Sequence, residues 1–123
     1  MKLSTNVHFL LETQLQIKIN HWQTKGFARH NAFGGFYDAL DELIDTFVES
    51  AMGKYGRFVL SDEEKTIQLS NLSELDPKAM LNTVREALIQ MSDEFEETDT
   101  DLMNIRDEIL GELNKLAYLL TLE

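Results

Sequence analysis

The chain has no cysteine and a single proline, Pro77, in 123 residues. Without thiols there are no disulfides, no thiolate nucleophile and no zinc-finger or iron-sulfur ligation. One proline among 43% hydrophobic residues leaves little room for disordered linkers or a β-rich architecture. Basic residues are also scarce, with 11 Lys and Arg against 22 Asp and Glu and a net charge of −11. Phosphate contacts need clustered Lys and Arg, and the opening Met1-Lys2-Leu3-Ser4-Thr5-Asn6 holds one lysine, so no DNA binding is expected. No apolar run approaches a membrane span, and the N-terminus lacks the basic and apolar regions of a signal peptide. The expectation is a cytoplasmic protein with no membrane partner. There is no internal repeat, no glycine loop in strand context and no nucleophile-base motif.

What the chain does have is helical periodicity, over one domain spanning residues 1–123. A first helix from about Thr5 presents Val7, Leu11, Leu15 and Trp22 as its apolar stripe, with Leu10 and Ile17 beside it. A second carries Phe33, Phe36, Leu40, Leu43, Ile44, Phe47 and Ala51, and Gly53 and Gly56 end it. Asp76 and Pro77 open a third helix, whose stripe of Met80, Val84, Leu88, Met91 and Phe95 reaches about Glu97. Asp99, Thr100 and Asp101 are N-cap and first-turn residues for a fourth, with Leu102, Ile105, Ile109, Leu113, Leu116 and Leu120 on one seam. The acidic run from Asp93 to Asp101 reads as a solvated turn between these two helices. Between Gly53 and Asp76, Ser61-Asp62-Glu63-Glu64 caps a short helix. The expected fold is all-α, a ferritin-like four-helix bundle with a long crossover containing a short helix.

The chemistry-bearing residues concentrate between His21 and Glu49. On a helix of about 100° per residue, Asp41, Glu42, Asp45 and Glu49 fall within roughly 60° of Asp38, and His30 lies about 80° away. Their stripe is opposite the apolar one, so these carboxylates point away from the bundle core. Imidazole together with carboxylate suits iron, manganese or zinc. Bundles that hold metal in the core use Glu-x-x-His pairs, and this sequence has none. A site using Asp45 and Glu49 therefore needs a second copy of the helix, which a twofold homodimer supplies. Asp38, Asp41 and Glu42 read individually as a solvated face, His8 as a surface or boundary residue, and Trp22 as core.

His21-Trp22, His30 and Asp45-Thr46-Phe47-Val48-Glu49 resemble the ferroxidase region of the Dps-type miniferritins, with Gly26 on the glycine that ends that family's first helix. The resemblance covers about a quarter of the chain closely. It implies a homodimer or larger homo-oligomer in which His21 and His30 of one subunit and Asp45 and Glu49 of the other bind iron. Fe(II) binding and oxidation, with iron sequestration or oxidative-stress protection, would be the activity. Small Dps-like chains of this pattern are associated with bacteriophage genomes, which implies the host cytoplasm.

Two departures stand out. The family's carboxylate one turn after the second histidine is replaced by Gly34, followed by Gly35, and the Gly26-to-His30 connection is short. Asp38 or Asp41 is the nearest substitute ligand, and Gly34→Asp is expected to restore the missing one. Gly34 favours a second reading, a non-enzymatic helical homo-oligomeric interaction protein with a degenerate site. A third, an acidic mimic of nucleic acid, rests on net charge alone.

Overall fold

The computed structural model describes residues 1–122. Four helices account for most of them: α1 (Leu3–Gln23), α2 (Phe27–Tyr55), α3 (Pro77–Gln90) and α4 (Thr100–Leu119). No strand occurs among the described residues, and none of their helices is long and apolar enough to cross a membrane. Contacts between helix ends fix the directions. Gln14 of α1 meets Asp41 of α2 while His21 meets His30, so α1 and α2 are antiparallel. Asn20 near the end of α1 meets Met80 near the start of α3, and Asn6 meets Glu94 just beyond α3. Lys54 and Arg29 at the two ends of α2 meet Asp99 and Leu120 at opposite ends of α4. Hence α1 and α4 run one way, α2 and α3 the other, and the 56–76 connection runs the length of the bundle.

The core of α2 is the expected one, with Phe33, Phe36, Leu40, Ile44, Phe47 and Ala51 buried. Leu102, Ile109, Leu113 and Leu116 of α4 and Leu81, Val84 and Leu88 of α3 complete it. Gly56, at φ +88°, ends α2 in a backbone conformation that glycine adopts without strain, while Gly53 lies inside the helix.

Three expectations are corrected. The buried stripe of α1 is Leu3, Val7, Leu10, Gln14 and Ile17, so Val7, Leu10 and Ile17 face inward as expected and Leu11 is half-buried against the core, but the helix is rotated so that Leu15 and Trp22 are exposed, Trp22 by 65%. The rotation has a polar cause. Gln16 donates to the Ser70 carbonyl at 2.9 Å and accepts from the Ser70 N–H at 2.8 Å. On the same side, His8 donates to the Thr66 carbonyl, Glu12 accepts from Gln68 N–H, and Gln23 accepts from Leu72 N–H. Side chains at positions 8, 12, 16 and 23 thus satisfy the backbone of an extended crossover that has no partner strand. The short helix of the crossover is a three-residue 3-10 helix, Glu63–Lys65, at the expected place, where Ser61 N–H donates to Glu64 Oε1 at 2.9 Å and Glu64 N–H to Ser61 Oγ at 3.3 Å; a second 3-10 helix follows at Leu72–Glu74.

The second correction concerns α3, which ends at Gln90 and tightens into a 3-10 turn, Met91–Glu94, well before Glu97. Arg106 of α4, nearly buried, donates through Nη1 to the Leu88 carbonyl at 2.7 Å and to Ser92 Oγ at 2.8 Å, with Phe95 beneath its guanidinium. Charge-assisted bonds there take the place of the next helical turn.

Third, Asp99 is neither solvated nor a side-chain cap. It is fully buried at the head of α4, and its carboxylate accepts from Lys54 Nζ, from Tyr55 Oη at 2.6 Å and 2.7 Å, and from Glu96 N–H at 2.8 Å. The Lys54 bond, with Tyr55 and Glu96 adding to it, holds the Asp99 carboxyl down to about 2. A depressed carboxyl stabilises the fold above its ordinary value of about 4 and loses that contribution as pH falls toward the folded value. The thermal midpoint should therefore drop steeply between those pH values, and Asp99→Asn should start lower at pH 7 and be flatter below pH 4. Superimposable pH profiles would show that the Asp99 latch contributes nothing.

Candidate metal centre at the turn between α1 and α2

His21 lies in the last turn of α1 and His30 in the first turn of α2, across a connection of Thr24, Lys25 and Gly26. Helix α1 stops at Gln23, and Gly26 is the N-cap of α2 with negative φ, so this glycine does not end α1. The two imidazoles stack with centroids 3.9 Å apart at 19°. His21 Nδ1 is 2.6 Å from the His30 carbonyl oxygen, and His30 Nδ1 is 2.9 Å from the His21 carbonyl oxygen. A carbonyl only accepts, so both Nδ1 atoms carry hydrogen, and in the neutral rings both Nε2 atoms keep a lone pair. Metal-ligating histidines are held in this way, one ring nitrogen donating to a carbonyl while the other faces the ion. The pair also has a structural use. The His21 carbonyl is among the last of α1 and has no donor within the helix, so His30 caps it.

Gly34 acquires a different meaning here. A Cβ at this position would lie 2.8 Å from Cε1 and 3.0 Å from Nδ1 of His21, whereas a Cβ at Gly35 would meet nothing within 4 Å. Gly34 is the seat on which the His21 ring rests against α2. An aspartate at 34 would displace the imidazole it was expected to assist, because the ring is held by the His30 carbonyl on one side and the His30 ring on another.

The carboxylates Asp38, Asp41, Asp45 and Glu49 are all exposed on the outer side of α2, as their helical phase predicts. Asp41 Oδ1 accepts from Gln14 Nε2 at 2.7 Å, so one of its oxygens is already engaged. At 1.5 Å rise per residue, Asp38 and Asp41 lie about 12 Å and 16 Å along the axis from His30, and Asp45 and Glu49 about 22 Å and 28 Å. A single ion spans about 2 Å to each ligand, so none of the four joins the histidines within one protomer. Accordingly, no group of three or more metal-ligating side chains occurs among the described residues. One protomer thus places two imidazoles beside one half of α2 and the Asp45 and Glu49 carboxylates on the other half.

The surface between these halves carries apolar and aromatic groups. Lys18 Nζ sits 4.5 Å from the Tyr37 ring centre and 5.2 Å from that of Trp22, which braces the exposed indole. Asp41, Glu42 and Asp45 line a shallow cleft of about 480 Å³ with Val7, Leu11 and Phe58. This aromatic-cation cluster was not anticipated; the i, i+4 spacing of Lys18 and Trp22 was the available signal.

Residues 21–120 match the family of unknown function DUF5856. The chain belongs to that family. The matched span opens at His21 and includes His30, Asp45 and Glu49. This DUF5856 chain is also similar to the uncharacterized 14.6 kDa protein in the mobD-ri intergenic region of Enterobacteria phage T4. The two are 29% identical over 114 residues, covering 93% of this chain and 84% of that one. No solved structure matches the chain.

The paired glycines provide a test of the His21 seat. Gly35→Ala should stabilise the protein by roughly 0.5–1 kcal/mol through helix propensity. Gly34→Ala should forgo that gain and weaken the His21 bond, for a net loss of about 1 kcal/mol or more. Urea unfolding of both variants reads the difference; equal gains at both positions would mean that the ring does not rest on Gly34.

Proposed function

We propose that this protein is a ferritin-like, Dps-like bundle that binds iron between two copies of the chain and oxidises it. The observation that carries this reading is the reciprocal histidine pair, whose Nδ1 hydrogens are committed to carbonyls and whose Nε2 lone pairs remain for a metal. The directions of the four helices and the long α2–α3 connection support the fold half of the proposal. Exposed Trp22 and Leu15, beside the carboxylate stripe, support an interface there, since anchored aromatics concentrate at interface centres.

In the proposed dimer the outer faces of two α2 helices pack antiparallel about a twofold. Asp45 and Glu49 of each chain then complete the His21–His30 half-site of the other, and two equivalent sites result. Fe(II) is the substrate. Two Fe(II) ions each lose one electron, either to dioxygen, which takes up two protons and becomes hydrogen peroxide, or to hydrogen peroxide, which takes up two protons as its O–O bond breaks and becomes two waters. Imidazole nitrogen selects a transition metal over calcium or magnesium, and the carboxylates offset the charge that grows on oxidation. Manganese or zinc would suit the same ligands without the redox step.

Symmetry makes the proposal specific. If residue 30 faces the partner's helix midway between 45 and 49, the twofold falls beside Asp38 of both chains. The two Asp38 carboxylates then oppose each other across the axis. Asp38→Asn should tighten the dimer roughly three- to tenfold, about 1 kcal/mol, in sedimentation equilibrium. A weaker dimer would instead mean that Asp38 binds something across the interface.

The activity has its own test, in stopped-flow Fe(II) oxidation. His30→Gln alone and Asp45→Asn/Glu49→Gln alone should each be inactive. An equimolar mixture, after subunit exchange, should recover about a quarter of the wild-type rate, because half the dimers are mixed and each mixed dimer has one intact site. Activity in either variant alone would reject the assigned ligands. An inactive wild type that is nevertheless dimeric would favour the second reading, an interaction protein with a degenerate site. Gly34 favours that reading, since no carboxylate fits one turn after His30.

A further inference from the structure

On the opposite end of α4 from Asp99 lies an open cavity of about 430 Å³, lined by the first turn of α2, the first half of α3 and the end of α4. Its floor is apolar, formed by Leu81, Ala117 and Leu120, and its rim carries Arg29, Lys78 and Arg85. Three of the chain's 11 cations thus border one cavity in a molecule of net charge −11. Among the described residues, none of the three makes an ion pair. The single carboxylate in the lining, Asp76, accepts from the Lys78 backbone N–H at 3.1 Å as the α3 cap.

Neutral groups hold the guanidiniums. Arg85 donates through Nη1 to Asn82 Oδ1 at 2.6 Å and through Nε to Asn114 Oδ1 at 3.2 Å, while Arg29 donates only to the Leu120 carbonyl, at 3.4 Å. Each guanidinium has five donors, so Arg85 keeps three uncommitted and Arg29 four. An arginine positioned by amides and left without a countercharge is prepared for an external anion. Of the other eight cations, Lys54, Lys65 and Arg106 each meet an aspartate, while Lys2, Lys18, Lys25, Arg57 and Lys115 are scattered and make no ion pair among the described residues.

We propose that this cavity is a binding site for an organic carboxylate with a compact apolar body. The planar forks of Arg29 and Arg85 accept the carboxylate, Lys78 adds charge, and Leu81, Ala117 and Leu120 cover the apolar part. The volume is within the range of small-molecule sites. This site is separate from the proposed metal ligands and stands whether or not iron binds.

The test uses the full-length protein with three probes in calorimetric titrations at low salt: 1-naphthoate, the neutral 1-naphthylmethanol and inorganic phosphate. Naphthoate should bind at least tenfold more tightly than the alcohol, phosphate should fail to displace it, and methyl resonances of Leu81, Ala117 and Leu120 should shift. Arg85→Gln and, separately, Lys78→Gln should each weaken naphthoate at least fivefold while leaving the alcohol's affinity and the thermal midpoint unchanged. Equal binding of acid and alcohol would overturn the role of the cations. Displacement by phosphate would overturn the apolar half and leave a plain anion site. Shifts confined to Trp22 and Leu15 would move the binding elsewhere and reject the proposal.

Discussion

The bond that organises this molecule is the reciprocal one between His21 and His30. Each imidazole donates to the other residue's carbonyl, so the end of α1 and the beginning of α2 are tied across three residues. The tie sets the antiparallel pairing of the two helices and demands a residue without a side chain at position 34. It also fixes which nitrogen of each ring remains available. The same arrangement serves as a structural staple and leaves both Nε2 atoms free, because the nitrogen that donates to the carbonyl is not the one the proposed metal site would use.

Polar groups, rather than apolar area alone, decide how α1 sits. Asn6, Thr13, Gln14, Gln16 and Asn20 are all buried. Turning the helix to bring Leu15 and Trp22 inward would take Gln16 from the crossover backbone and Gln14 from Asp41. An unpaired buried amide costs more than an exposed leucine. The apolar residues displaced outward then form the surface that the proposed dimer would cover.

Charge is distributed with the same economy of position. Most of the 22 carboxylates are solvated, yet Asp99 is enclosed with Lys54 and Tyr55 and ties the end of α2 to the head of α4. Arg106 closes α3, and three other cations surround the α3–α4 cavity. Net charge describes none of these arrangements. It describes the outside of the molecule, where the stripe from Asp38 to Glu49 faces solvent.

The sequence by itself determined the helix count, the order of long and short connections, and the inward and outward faces of α2 and α4. Those faces are local properties: a hydrophobic period of three and four residues has one solution when apolar and polar positions segregate, as in Phe33 to Ala51. It also gave the outward phase of the carboxylates on α2, while His21, His30, Asp45 and Glu49 as metal ligands are its proposal. Tertiary structure alone decided the face of α1, where amides and aliphatics interleave and two stripes are nearly equivalent until the crossover selects one. It decided the end of α3, which depends on Arg106, and the burial of Asp99, whose partners Lys54 and Tyr55 lie 45 and 44 positions away. It also turned Gly34 from an apparent gap in a ligand set into the seat of His21. Each of these depends on which side chains meet across helices, and such meetings are set by packing and hydrogen-bond satisfaction between distant segments, to which periodicity within a segment is blind.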